Sequence, residues 1–335
     1  MESQHLGSFA QINRRHFLGA GLTGLAITAF SRAATGDAES ASSLPKVRWG
    51  RHDISRMLVG HNPIKGVSHT SEALSREMRD YFAQDMSRGV EMLRRCEETG
   101  INACQMGYRA NERFIEEMLR RHYAAGGQLK WIASFYSHPA EVQAVRQELA
   151  QLQRMNPPPI GMQQVGNTTD LLMRQGRIDL ALENLKRFRD TGLLVGLGSH
   201  NHEVIEYAES KGWDVDFYQC SFYRSVFSLN DAHYGRERFV ESDRDAMTRT
   251  IRKAGKPCIA FKVLAAGRHC QSIAALEEAL RYAFNQIKPN DVVLLGMWQK
   301  HRDQVGENVN IVRNILDQSV GRPLNSGSAG SVRGP

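Results

Sequence analysis

From Leu44 onward, short apolar runs alternate with longer segments in which apolar residues recur every three to four positions. The first pattern belongs to strands buried on both faces, the second to amphipathic helices. Strands are expected at 56–60, 101–105, 130–135, 160–164, 193–197, 215–219, 258–263 and 291–295. Helical periodicity covers 85–99, 111–124, 139–154, 177–191, 202–211, 242–254, 273–287 and 302–319. Punctuation agrees with both sets. Thr99-Gly100 and Thr191-Gly192 end two helices, and Gly255-Lys256-Pro257 stops a third before its strand. Eight evenly spaced βα units predict an α/β fold, a (β/α)8 TIM barrel, rather than a doubly wound sheet. Ahead of the first strand, a β-hairpin turning around Gly50 to Asp53 is expected to plug the N-terminal mouth.

The ends of the chain follow different rules. Asn13-Arg14-Arg15-His16-Phe17-Leu18, a short weakly apolar stretch over 19–30, and small residues at Ser31 and Ala33 read as a twin-arginine (Tat) signal peptide, residues 1–33. The destination implied is periplasmic or secreted, the partner implied is the Tat translocase, and no stable membrane span is expected after cleavage. Residues 34–45 read as a flexible linker, 46–320 as the barrel, and 321–335 as a disordered tail. The net charge of +7 is spread along the chain without a basic run, which argues against nucleic acid as a partner. Five cysteines, at 96, 104, 220, 258 and 270, match no zinc spacing and are expected to be free, buried thiols.

Several fragments, in order, resemble the aldo/keto reductase superfamily over roughly residues 46–318. They are Trp49-Gly50-Arg51 with Ile54-Ser55-Arg56 and Gly60, Glu98-Thr99-Gly100-Ile101-Asn102 with Tyr108, and Val195-Gly196-Leu197-Gly198-Ser199-His200-Asn201. The stretch from Lys256 to Gly267, and Gly296 with Gln304-Val305-Gly306-Glu307-Asn308, complete the series. The resemblance implies an oxidoreductase barrel that uses a tyrosine as proton donor, an Asp and a Lys beside it, and an orienting His. Here Tyr108 matches the tyrosine, but Gln105 stands in the Asp position, Ser134-Phe135 in that of the Lys, and Gln164-Val165 in that of the His. A tyrosine without those neighbours is a weak acid at neutral pH. The resemblance also implies a nicotinamide cofactor, NADP, which outside the cytoplasm would have to be tightly bound; Gly267, Arg268, Gln304, Glu307 and Asn308 are the residues that would hold it.

Active sites of such barrels gather at the carboxyl ends of the strands. Those ends carry amides, hydroxyls, histidine and cations, and no carboxylate. Paired-carboxylate glycosidase chemistry and a hard-metal site are therefore not expected, and no metal is assigned. A small polar, anionic ligand is expected instead. Tyr108 and His200 or His69 are candidates for acid–base work, Gln105 and Gln164 for hydrogen bonding, and Lys262 for an electrostatic or Schiff-base role. The long segment 63–84 after the first strand reads as a lid or a rim decoration, with three helical turns possible over 71–82. Three functions stay open: a reductase-like enzyme acting on a carbohydrate or other polar carbonyl compound, a cofactor-free isomerase, lyase or hydrolase, and a non-catalytic barrel that binds an anionic sugar.

Overall fold

A computed structural model describes residues 44–108, 113–224 and 239–320. The expected signal peptide, most of the expected linker and the expected tail fall outside the described residues. Leu44, assigned to the linker, is buried in the core.

Two antiparallel strands open the fold, β1 (Lys46–Trp49) and β2 (His52–Ser55), turning at Gly50 with a φ of +56°. The barrel strands follow as β3 (Met57–Gly60), β4 (Ala103–Tyr108), β5 (Lys130–Phe135), β6 (Gly161–Gln164), β7 (Leu194–Ser199), β8 (Phe217–Ser221), β9 (Cys258–Phe261) and β10 (Val292–Gly296). All eight are parallel and close as β10-β3-β4-β5-β6-β7-β8-β9. Every expected strand is present, each within a few residues of its expected bounds. The main displacement is in β4, which runs three residues beyond Gln105.

Among the described residues ten α-helices surround the ring: α1 (Glu72–Gln84), α2 (Ser87–Glu98), α3 (Arg113–Ala124), α4 (Val142–Arg154), α5 (Gly166–Arg174), α6 (Ala181–Arg189), α7 (His202–Ser210), α8 (Glu241–Lys253), α9 (Ile273–Gln286) and α10 (Gln304–Val320). Helix α1 confirms the turns expected within 71–82; the Ser71 hydroxyl caps it by accepting the Leu74 N–H. Helix α5 has no counterpart in the sequence pattern. It begins Gly-Asn-Thr-Thr, all poor helix formers, and it buries Gly166, Thr168, Thr169 and Asp170 with Leu172 as its one fully buried apolar residue. Packing makes this helix, not periodicity. None of the described helices is long and apolar enough to cross a membrane. All five cysteines are free, and all but Cys270 are buried.

The pleat divides the core in two. Outward-facing strand residues join the helices in one large apolar shell, while a smaller cluster fills the lower half of the barrel. Leu58, Ala103, Ile132, Phe217, Ile259 and Val292 make up that inner cluster, together with Trp49 and Ile54 from the hairpin. Trp49 stacks on Phe217 with ring centroids 5.5 Å apart, and its indole N–H donates to the Asn290 carbonyl at 3.0 Å. The hairpin thus seals the lower end, as expected for a plug. Trp49→Ala should lower unfolding free energy by about 3–5 kcal/mol, read as a shifted midpoint in urea with the slope unchanged.

Candidate functional site

Above the apolar cluster the barrel interior becomes polar. Gln105 on β4, Ser134 on β5, Gln163 on β6 and Gln219 on β8 are buried and point to the axis. Gln105 Nε2 donates to Ser134 Oγ; Gln163 Nε2 donates to Ser134 Oγ at 2.8 Å and to Gln219 Oε1. Gln163 Oε1 is buried without a hydrogen-bond partner among the described residues.

On this floor rests a cavity of about 670 Å³, walled by the strand ends and covered in part by segment 67–70 and by Leu74 and Met78 of α1. Its size falls within the range of small-molecule sites. Among the described residues no Asp or Glu lines it. Among the described residues no three His, Cys, Asp or Glu side chains are grouped to hold a metal.

Two acid–base pairs stand in its walls. At the end of β3, His61 Nδ1 lies 3.1 Å from Gln105 Oε1 and 3.3 Å from the Gln105 carbonyl. Both are acceptors, so Nδ1 carries the proton and Nε2 is the ring's acceptor when the imidazole is neutral. Tyr136, just past β5, sets its hydroxyl 3.2 Å from that Nε2. Gly107 makes room for the contact: a Cβ there would lie 2.6 Å from His61 Nε2 and 3.0 Å from the Tyr136 oxygen. The Lys65 ammonium sits 5.6 Å from the centre of the Tyr136 ring, a cation–π contact.

The second pair forms at the end of β7. His200 Nδ1 lies 2.8 Å from Asp170 Oδ2, and both side chains are nearly fully buried. Asp170 comes from α5 and also accepts from Ser199 Oγ at 2.5 Å and from the His200 N–H at 3.2 Å. Thr169 Oγ1 ties the same helix to the Gly198 carbonyl on β7. The carboxylate fixes the proton on Nδ1, which leaves Nε2 as the acceptor of a ring that lines the cavity.

Lys262, just after β9, lines the cavity in a left-handed conformation with a φ of +57°. A non-glycine residue there is strained, and such strain is characteristic of functional sites. Ala265 and Ala266 share the conformation. Thr70 Oγ1 donates to the Ala266 carbonyl at 2.6 Å, joining the covering segment to this turn. His69 Nε2 accepts from Asn62 Nδ2 at 3.2 Å on the same side.

Of the residues expected from sequence, Gln105, His200, Lys262, His69, Gly267 and Gln304 line the cavity. Tyr108 does not. Because β4 continues to Tyr108, that residue lies three positions from inward-facing Gln105 and faces outward. It is buried in the helix shell, donates to Gln151 Oε1 at 3.2 Å, and burial pushes its pKa up to about 12. Gln164 is likewise turned away: Nε2 donates to the Phe135 carbonyl at 3.2 Å, and Oε1 accepts from Asn184 Nδ2 at 2.6 Å. Its neighbour Gln163 holds the interior place. Tyr136 and Asp170 escaped sequence reading, one by lying a residue past its strand, the other by sitting on α5.

In overall structure the chain is similar to an aldo-keto reductase of Pseudomonas aeruginosa, with a TM-score of 0.53 at 15% identity over 84% of this chain and 99% of that one. It is also similar to a thermostable aldo-keto reductase in complex with epalrestat (TM-score 0.52, 14% identity, 80% and 94% covered). The holo form of an aldo-keto reductase from Bacillus halodurans gives 0.50 at 13% identity, over 82% and 96%. No protein-family model matches the chain, and no curated protein matches it in sequence. The fold is that of the aldo-keto reductases, and the protein is an aldo-keto-reductase-like barrel.

That likeness raises the question of a nicotinamide dinucleotide. Gly267 and Gln304 do reach the cavity. The other three expected residues are engaged elsewhere. The Arg268 guanidinium donates to the Ala265 carbonyl at 3.1 Å and lies 4.0 Å from the centre of the Phe239 ring. Glu307 pairs with Arg302 at 3.2 Å, and Asn308 Nδ2 donates to the Gln304 carbonyl at 2.7 Å. Gln304 Oε1 itself accepts the Trp298 N–H at 3.1 Å. Asn308 Oδ1 is buried without a hydrogen-bond partner among the described residues; two of the five residues line the cavity, and no chemical step is assigned to a dinucleotide.

The His61–Tyr136 contact should be sensitive to the space left by Gly107. Gly107→Ala is expected to cost about 1–3 kcal/mol through overpacking and to shift the His61 ring resonances in nitrogen-edited NMR. Unchanged ring resonances would contradict the packing described.

Proposed function

We propose that this aldo-keto-reductase-like protein is an enzyme acting on a small, polyhydroxylated carbonyl compound, a sugar or sugar acid. The observation that carries the reading is the Tyr136 hydroxyl held 3.2 Å from His61 Nε2 on the wall of a cavity floored by amides. Tyr136 gives its proton to the substrate's carbonyl oxygen, and His61 in its imidazolium form replaces it from Nε2; the reverse sequence takes a proton from a hydroxyl. Lys65 stabilises the charge that passes through the phenol oxygen.

Substrate class follows from the lining. Gln105, Ser134 and Gln219 offer neutral donors and acceptors suited to hydroxyl groups. Lys65 and Lys262 line the cavity, and no carboxylate is among its described lining residues, which favours a carboxylate or phosphate on the same molecule. Lys262 serves here as an electrostatic group.

A panel of ketoses, aldoses and keto-acids should yield binding, read by calorimetry, and turnover without added nucleotide. Tyr136→Phe is expected to lower turnover about 10²–10⁴-fold while binding changes little. Equal turnover by that variant, or turnover only with NADPH present, would overturn the assignment. A barrel that binds such compounds but turns none over would be a binding protein instead.

Export by the Tat route is part of the same proposal, motivated by Arg14-Arg15 and the stretch that follows. Arg14→Lys with Arg15→Lys should leave the full-length protein, uncleaved, in the cytoplasm. Undiminished export of the double variant would remove the twin-arginine assignment.

A further inference from the structure

The His200–Asp170 pair has no task in protonating a carbonyl oxygen, yet it is the most heavily built acid–base group in the cavity wall. We infer that His200 is a carbon-acid base, with Asp170 as its positioning residue, and that the enzyme interconverts α-hydroxy carbonyl compounds through an enediol without a cofactor. The inference rests on the reading of the cavity as a carbonyl site and names its reaction.

Three features carry it. First, the ring order β10-β3-β4-β5-β6-β7-β8-β9 sets β7 four strands from β3, so His200 and His61 rise from opposed sides of the barrel. Tyr136 after β5 lies between them, two strands from each. A substrate on the amide floor thus meets an acid on one side and a base on another, which proton transfer across adjacent carbons requires.

Second, the tautomer is defined. Asp170 holds the Nδ1 proton at 2.8 Å, so Nε2 is the basic nitrogen, and the carboxylate stabilises the imidazolium formed when Nε2 takes a proton. Third, the pair is braced. Ser199 Oγ and the His200 N–H also donate to Asp170, Thr169 anchors α5 to β7, and Phe261 packs edge-on against the imidazole with centroids 5.3 Å apart. Gly166 at the start of α5 is part of the arrangement, since a Cβ there would lie 3.0 Å from His200 Nδ1.

The step balances without an outside oxidant or reductant. His200 Nε2 takes the proton from the carbon bearing the hydroxyl. The electron pair of that C–H bond becomes the C=C bond of the enediol, and the carbonyl π pair moves to oxygen, which receives the Tyr136 proton. Return of a proton from His200 to the neighbouring carbon, with loss of the adjacent hydroxyl proton to Tyr136, gives the isomer and restores both groups. Nothing is oxidised overall.

The test is solvent exchange by the full chain in D₂O, free of nucleotide, with glyceraldehyde, a four-carbon ketose and a 2-keto sugar acid as probes. Proton NMR is expected to show enzyme-dependent deuterium incorporation at the α-carbon of at least one probe. Asp170→Asn should lower saturated exchange on the order of 10²–10⁴-fold with KM nearly unchanged. His200→Gln should lower it at least as far and abolish the limb along which the rate rises as an imidazole loses its proton.

Circular dichroism and probe binding report whether the variants fold. Should Asp170→Asn not fold, His200→Gln carries the test alone. Wild-type turnover that depends on Tyr136 but washes no deuterium into carbon would overturn the enediol inference and leave the carbonyl assignment standing. Exchange that survives His200→Gln would overturn the role of His200. Failure of every probe to bind or turn over would defeat the carbonyl reading on which the inference rests.

Discussion

A strand in a closed ring has only two sides, and the pleat assigns each residue to one of them without compromise. Every functional statement about this protein depends on that parity. Gln105 reaches the axis, so Gly107 does as well, while Cys104, Met106 and Tyr108 must face the helices. On β6 the same rule separates two adjacent glutamines: Gln163 joins the interior layer and Gln164 is bonded among Phe135, Ser137 and Asn184. A shift of one residue exchanges a site residue for a structural one.

Along the axis the barrel changes character. The lower half is dry, packed by Trp49, Phe217, Ile132 and their neighbours, and the hairpin removes it from water. The next layer is made of amides and one hydroxyl, whose hydrogen bonds run from strand to strand. A rigid apolar base beneath a directional polar floor is what allows strand-end side chains to be held in place, because neither layer can repack without leaving a void or an unmet donor. Backbone restraint adds to this above β9, where Lys262, Ala265 and Ala266 all hold left-handed conformations.

The likeness to aldo-keto reductases is one of architecture. At 13–15% identity the scaffold has kept strand order and the placement of the mouth, while the groups that populate the mouth are arranged in this chain's own way. A tyrosine and a histidine again lie in contact, but they come from the ends of β5 and β3, and a carboxylate-backed histidine stands at β7. Fold and chemistry are separable in such barrels because the strands bear the stability and the loops bear the reacting groups.

Much of this was legible in one dimension. The eight strands and most of the helices follow from local hydrophobic period, the hairpin from its turn, Gln105, His200 and Lys262 from their positions at strand ends, and His69 from the long segment after the first barrel strand. The reason is that period and parity are properties of the chain itself. What tertiary structure alone decided was which neighbours meet. Helix α5 has no apolar stripe of its own and exists because Thr168, Thr169 and Asp170 find partners on β7 and beyond, so neither the helix nor its carboxylate could be read from periodicity. Tyr136 meets His61 across 75 positions of sequence, in the space left by a glycine on a third strand. Contacts of that kind are fixed by ring closure, which brings distant strand ends to one rim, and no local pattern encodes it.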